Sequence, residues 1–139
     1  MSAARIVKHG EAPAFDRGNG VATTLLVGRE TAPDTIFTSG TTTFPPGRGA
    51  PMHSHNCGEQ VLILEGEAEV EIDGVVDRVG PLDTTYIPAG LPHRFTNVGE
   101  APLTILWIYG ATHVTRTFAA TGETVEHLSG GDRVGALAG

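Results

Sequence analysis

Two groups of residues constrain the fold of this chain more than any other feature. They are Gly47-x5-His53-x-His55-x3-Glu59-x6-Gly66 and Pro88-x-Gly90-x2-His93-x3-Asn97. Successive side chains of a β-strand point to opposite faces, so His53 and His55 project from the same side of an extended segment. Gly58 permits a bend of the backbone that directs Glu59 towards the two histidines, and His93 lies on a separate strand. The spacing therefore predicts one metal site formed by His53, His55, Glu59 and His93, because imidazole and carboxylate are common metal ligands.

The two motifs resemble the two signature motifs of the cupin superfamily. The first matches at every marked position, and the second matches at its proline, glycine, histidine and asparagine. The glycine that usually opens the second motif is Leu82 here, whereas the following Asp83 is retained. That glycine shapes the backbone and carries no ligand, so its absence affects the turn and not the metal. Gly80-Pro81, just upstream, offers an alternative turn.

The resemblance implies an all-β fold, namely the double-stranded β-helix or jelly-roll barrel of cupins. It also implies one divalent metal ion per chain, bound where substrate can enter the mouth of the barrel. Fe(II) is the first candidate, with Mn, Ni and Zn behind it, because the ligand set alone does not select the metal. The superfamily hosts many chemistries, so the resemblance does not specify the reaction.

Length and composition agree with a single β domain. The chain has 139 residues, of which 19 are glycine and 9 are proline, and no segment has a convincing helical period. The formal net charge of -7 argues against nucleic acid or an anionic membrane as a partner. Without a leader-like or long apolar segment, and with Cys57 as the single cysteine, the sequence predicts a cytoplasmic protein.

Alternating and β-branched segments mark the expected strands. We predict an N-terminal arm over residues 1–20, a barrel over 21–120 and a loose Gly-rich tail over 121–139. Within the barrel, strands are expected at Val21 to Val27, Thr35 to Phe44, Val61 to Leu64, Glu67 to Ile72, Val75 to Val79, Thr84 to Ile87, His93 to Asn97 and Leu103 to Tyr109. Asp73-Gly74 has the composition of a two-residue hairpin turn.

The segment from Leu103 to Tyr109 is apolar on both faces, so something must cover its outer face. The arm or the tail is one candidate, and a second copy of the chain is the other. We favour a homodimer, with Leu106 or Ile108 pointing outward, because cupin-like sheets commonly pack in pairs.

Three further histidines, the cysteine and three aromatic residues could also bind or react, but we do not assign them to the metal site. His9, His113 and His127 lie in an arm, after a strand and in a tail, and we interpret them as non-ligands. Cys57 is either an outer-sphere thiol or a small residue that fills a loop, and we favour the second interpretation. The aromatic residues Tyr86, Trp107 and Tyr109 are interpreted as core, with a role as pocket walls or general acids as the alternative.

These observations favour a small metalloenzyme of the oxygenase type, acting on a small oxygenated organic substrate. An Fe(II) ion with an open position would bind an enol or a catechol-like compound beside dioxygen. The first alternative is a metal-dependent isomerase or lyase on a sugar acid or a similar compound, in which the ion polarises a carbonyl. The second is a small-ligand-binding module without catalysis. No catalytic residue can be assigned from the sequence.

Overall fold

The computed structural model describes residues 4–132. In this part of the chain the helical structure is limited to a short 3-10 turn at His9–Glu11, and the rest of the regular structure is β-strand. Twelve strands follow in chain order: β1 (Ala14–Asp16), β2 (Ala22–Val27), β3 (Thr38–Phe44), β4 (His53–His55), β5 (Glu59–Glu65), β6 (Ala68–Ile72), β7 (Val75–Val79), β8 (Thr84–Ile87), β9 (His93–Asn97), β10 (Leu103–Tyr109), β11 (Thr115–Phe118) and β12 (Thr124–Glu126).

The strands form two six-stranded antiparallel sheets. One has the order β1-β2-β3-β10-β5-β8, and the other has the order β12-β11-β4-β9-β6-β7. Strands far apart in sequence lie side by side, as β3 does with β10 and β4 with β9. This interleaving of two sheets is the arrangement of a jelly roll, so the predicted double-stranded β-helix is confirmed.

Most of the predicted strands are present with small changes at their ends. The bounds predicted for β7 to β10 agree with the structure. The strand expected to begin at Thr35 begins at Thr38. The short strand expected at Val61 to Leu64 is longer, because its pairing with β10 runs from Glu59 to Glu65.

Two tight turns depend on residues with positive φ. Asp73 and Gly74 have φ values of 50° and 84°, as the predicted two-residue hairpin between β6 and β7 requires. Gly80 and Pro81 form the first half of the turn before β8, which the bond from the Asp83 N–H to the Gly80 oxygen closes. Leu82 occupies its third position with a φ of 73° and is exposed, so it adopts the left-handed conformation itself. An L-residue adopts this conformation at a cost of about 1–2 kcal/mol. The missing glycine therefore adds to the cost of the turn before β8 without removing the turn.

The core lies between the two sheets and is visible in the alternation of β10. Leu103, Ile105, Trp107 and Tyr109 are buried, whereas the residues between them are partly exposed. Trp107 fits because it lies opposite Gly40 of β3, where a Cβ atom would collide with the indole. Each large apolar side chain that is fully buried contributes about 1.5–3 kcal/mol relative to exposure.

Both ends of the described chain are built into the sheets. β1 pairs with β2, and β12 pairs with β11. Asp132 is buried with 1% of its surface exposed and forms ion pairs with two arginines. The prediction of a loose tail is therefore wrong for residues 121–132, because these contacts hold the segment against the barrel. Residues 133–139 of that predicted tail lie outside the described part of the chain.

Candidate metal centre

Three histidines meet inside the barrel. His53 and His55 project from the same face of β4, and His53 pairs directly with His93 of β9. All three side chains are buried, and each offers one ring nitrogen, these nitrogens lying within 4.8 Å of one another. The group is one that could hold a metal ion, and the sequence pattern brought these three residues together correctly.

Backbone carbonyl groups fix the tautomer of each ring. The Nδ1 atom of His53 lies 2.7 Å from the oxygen of Pro51, and that of His93 lies 2.9 Å from the oxygen of Leu91. The Nδ1 atom of His55 lies 3.0 Å from the oxygen of Thr115. A carbonyl can only accept, so each Nδ1 must donate, and each neutral ring keeps its Nε2 lone pair free. Such contacts orient imidazoles for metal binding.

Glu59, at the start of β5, brings a buried carboxylate to the same point. Its Oε1 atom lies 3.1 Å from Nε2 of His93 and 3.7 Å from Nε2 of His55. Within residues 4–132, neither Oε1 of Glu59 nor Nε2 of His93 has a hydrogen-bond partner. With Nδ1 protonated, these are two acceptors facing each other, which is unfavourable unless a cation lies between them. The donor set therefore fits a divalent ion.

Burial controls the protonation of the group. Desolvation, followed by the charge of Arg116, holds the pKa of His53 well below its usual value of 6.5. Desolvation also lowers the pKa of His55 to about 4, although Glu59 opposes the shift. Burial alone would raise the pKa of Glu59, but the His93 contact, His55 and Arg116 together hold it below its usual value. At neutral pH His53 and His55 are thus neutral and Glu59 is ionised, as metal binding requires.

We expect the free energy of unfolding of the metal-free protein to fall as the pH is lowered from about 6.5 towards about 4. The folded-state pKa values of His53 and His55 lie below the unfolded-state value of 6.5. The unfolded chain therefore binds protons in this window that the folded chain does not. Each such histidine contributes a slope of about 1.4 kcal/mol per pH unit. Urea denaturation at a series of pH values measures the slope, which the variant His55→Gln should reduce because it removes one of the histidines whose pKa is lowered on folding. A flat profile would contradict the prediction.

Aromatic side chains close one side of the centre. The Tyr109 hydroxyl lies 3.4 Å from Nε2 of His55, and the Tyr109 ring packs on Trp107. Desolvation, with Glu59, raises the pKa of Tyr109 well above 10, so the phenol keeps its proton. His127 packs edge-on against both aromatic rings, with centroid distances of 4.9 and 5.0 Å. Trp107 and Tyr109 are therefore core and pocket wall at the same time, and Tyr109 is a hydrogen-bond donor at the centre.

The centre opens into a small cavity. Its volume is about 40 Å³, which is room for roughly three water-sized groups. His127 lines this cavity and also an open cleft of about 400 Å³ at the surface. His127 thus stands between the cleft and the metal centre, a position that its place in a polar tail did not reveal. Desolvation, then Arg116 and Arg17, hold its pKa well below 6.5, so it is neutral.

Two buried arginines, which the sequence reasoning missed, also line the cavity. They are Arg17, after β1, and Arg116, on β11, and their side chains are 4% and 7% exposed. Asp132 bridges them, with its Oδ1 atom 2.9 Å from Nη2 of Arg17 and 3.1 Å from Nε of Arg116. Burial and the charge of Arg116 lower the pKa of Arg17, and Asp132 opposes the shift. Arg116 shares the inward face of β11 with Phe118, but a charged residue is usually placed outside, so no local signal indicated it.

The remaining candidates do not line the cavity. Tyr86 is 72% exposed, so its assignment to core or pocket wall was wrong. Cys57 is half-buried and packs on the core, and desolvation raises its thiol pKa, which agrees with a residue that fills space. His9 contacts Thr41, and His113 pairs with Glu126 at the surface.

Comparison with known proteins agrees with the fold. The family model described as the cupin domain matches residues 40–109. An uncharacterized protein of Methanocaldococcus jannaschii is 38% identical over 63 residues, which cover 45% of this chain and 50% of that protein. Quercetin 2,3-dioxygenase of Bacillus subtilis is 31% identical over 93 residues, covering 65% of this chain and 26% of the enzyme. The chain thus spans half or less of the length of these relatives.

A solved structure resembles the whole barrel. The RmlC-like cupin from Shewanella frigidimarina superposes with a TM-score of 0.66 at 17% identity, covering 78% of this chain and 91% of that chain. At this identity the likeness establishes the fold alone. The family match covers half of the sequence and includes every residue of the candidate metal centre. On this evidence the chain belongs to the cupin family.

Proposed function

We propose that this cupin is a metal-dependent enzyme that holds one divalent ion through His53, His55, Glu59 and His93. The observation that carries the proposal is the meeting of three Nε2 lone pairs and one ionised carboxylate in a buried cavity. Four protein ligands leave a position of a five- or six-coordinate ion open, and open positions distinguish catalytic from structural sites. Fe(II) is the first candidate, with Mn, Ni and Zn as alternatives. When bound, the ion would supply a Lewis acid or a site for dioxygen beside substrate.

The other residues of the cavity have roles that their contacts support. Tyr109, kept protonated by burial, would donate a hydrogen bond to a group bound beside His55. His127 would separate that group from the surface cleft. The apolar walls, among them Val61, Phe95 and Ile105, would exclude water from the site. These features favour a small substrate that is held in a largely dry cavity.

An oxygenase reaction is the function that we favour. The resemblance to quercetin 2,3-dioxygenase supports it, although the match covers only a quarter of that enzyme. We expect Fe(II)-loaded protein to consume dioxygen in step with the loss of a small enol, diketone or phenol. An oxygen electrode combined with chromatography measures both, and Glu59→Gln should abolish the reaction while His113→Gln should not. Turnover at an equal rate under anaerobic conditions would contradict the oxygenase and favour the isomerase or lyase reaction.

We also propose that the chain forms a homodimer through the outer face of β10. Leu106 lies on that face between Thr41 of β3 and Leu62 of β5, and Ile108 shares the same face of β10. All four of these residues are only partly buried. The N-terminal arm reaches the edge of this face through the contact of His9 with Thr41. The arm thus contributes some cover, and an apolar surface remains for a second copy.

Replacing Leu106 with aspartate should therefore shift the protein from dimer to monomer. The new carboxylate would have to be desolvated in the interface, which costs several kcal/mol. Sedimentation velocity at micromolar concentration measures the change, and Val76→Asp, on the exposed edge strand β7, is the matched control. If the parent protein were monomeric, the homodimer would be refuted and the N-terminal arm would be the element that covers the outer face of β10.

We further propose a cytoplasmic location on the basis of composition. In the part of the chain that the structure describes, no helix has the length and apolar character needed to cross a membrane.

A further inference from the structure

The cavity has a second cluster of charged groups beside the metal ligands. Arg116 lies directly opposite His55 in the pairing of β11 with β4, which brings the two side chains within about 5 Å at their Cβ atoms. Arg17 reaches the same cavity from the opposite sheet. Both arginines therefore face the space into which the free position of a bound ion would open.

The two arginines are not equally satisfied. Arg17 donates through Nη1 to the hydroxyl of Thr23 and through Nε to the backbone oxygen of Asp132, in addition to its ion pair. For Arg116, the contact seen in residues 4–132 is the ion pair of its Nε with Asp132. A guanidinium has five N–H donors in a planar fork. The Nη1 and Nη2 groups of Arg116 can thus donate hydrogen bonds to a group in the cavity, while the ion pair of its Nε with Asp132 fixes the position of the guanidinium.

The balance of charge changes when a metal ion binds. Without metal, the two guanidiniums are balanced by the carboxylates of Asp132 and Glu59. A divalent ion adds two positive charges to a buried space. Uncompensated charge in such a space is costly. The metal-loaded cavity therefore favours an anionic ligand that the metal-free cavity does not need.

We propose that Arg116, positioned by Asp132 and Arg17, binds the carboxylate of a small organic acid that also occupies the open position of the metal ion. This inference rests on the proposed metal site and defines its substrate class. A planar carboxylate matches the fork of a guanidinium and accepts two parallel hydrogen bonds. A second oxygen of the acid would face the metal and the Tyr109 hydroxyl.

The size of the cavity limits the acid. A volume of about 40 Å³ accommodates roughly three water-sized groups, which is about the size of one carboxylate group. A diacid such as malonate therefore has to displace His127 towards the surface cleft that this residue also lines. Malonate is a suitable probe, because its two carboxylates can meet the ion and Arg116 together and its charge matches the two positive charges of the ion.

The test is titration calorimetry of zinc-loaded protein with malonate, with its neutral isostere malonamide and with inorganic phosphate. Zinc content is measured on every sample before and after titration, because malonate chelates free metal. We expect one malonate per chain, no binding of malonamide, weaker binding of phosphate, and no malonate binding by metal-free protein. Trp107, the single tryptophan of the chain, lines the cavity and provides an independent fluorescence signal.

The decisive variant is Arg116→Met, which leaves Arg17 and Asp132 as a balanced pair and so should fold. We expect its affinity for malonate to fall by at least about tenfold, since charged hydrogen bonds are lost, with zinc content unchanged. Arg78→Met, at an exposed position of β7, is the matched control. Undiminished malonate binding by Arg116→Met, or tighter binding of phosphate than of malonate, would overturn this inference alone. Absence of zinc from the parent protein would instead overturn the proposed function.

Discussion

Replacing His93 with alanine should remove the metal ion and the activity while leaving a folded barrel. The ring supplies the Nε2 atom that faces Glu59 at 3.1 Å, and β9 joins this ligand to those of β4. Without the ring, two histidines and one carboxylate remain, too few to hold an ion tightly in competition with water. Elemental analysis should show the metal content falling from about one ion per chain to near zero.

The control for this experiment is His113→Ala. His113 is an imidazole at the surface, paired with Glu126, so its removal changes the histidine count without touching the centre. Circular dichroism should show β-structure in both variants, because the strands pair through their backbones and the apolar core packs between the two sheets. Full metal content in His93→Ala would refute the assignment of this ligand.

A second large effect is expected from Asp132→Asn. The variant removes the carboxylate that the two buried guanidiniums of Arg17 and Arg116 share. Leaving buried charges without their partner costs about 3–5 kcal/mol. Asp132 also accepts a hydrogen bond from the backbone N–H of Leu128, which helps to hold the segment that carries His127. We therefore expect a marked loss of stability and a more accessible cavity.

Urea denaturation measures the loss of stability, and quenching of Trp107 fluorescence by iodide measures the access. Glu126→Gln is the matched control, because Glu126 is an exposed carboxylate of the same segment, paired with His113. It should have no measurable effect on either quantity. If Asp132→Asn were as stable as the control, the arginines would need another counter-charge and the described ion pairs would not anchor the tail.

The fold and the meeting of the three histidines could be predicted because their signals are local. His53, His55 and Glu59 lie within seven residues, and the period of two in a strand determines which of them share a face. The Asp73-Gly74 turn is equally local, since its composition matches the positive φ of both residues. His93 is more distant in the sequence from the other three residues, but the Pro88-x-Gly90 turn and the strand that follows it are recognisable locally. Short-range regularities of this kind remain readable in a single sequence.

The other half of the cavity could not be predicted because its contacts are distant. Arg17 and Asp132 are separated by 115 positions, and no local pattern connects them. In β11 the polar residue Arg116 points inward, whereas a strand of this composition would normally place a charge outside. The Gly-rich sequence after Thr121 indicated a loose segment, yet a buried ion pair holds it. Composition predicted a loose C-terminal segment, but the buried ion pairs of Asp132 hold residues up to 132 against the barrel.

The positions of these residues have an evolutionary consequence. The family match ends at residue 109 and begins at residue 40, so it includes the metal ligands and excludes Arg17, Arg116, His127 and Asp132. The shared segment carries the four residues that we propose as metal ligands, and the flanking segments carry the buried charges and the aromatic contact of His127 that would select what approaches them. Changes in those flanks could alter substrate preference without disturbing the ion. Differences in substrate preference between related barrels can therefore be sought in the segments on either side of the family match.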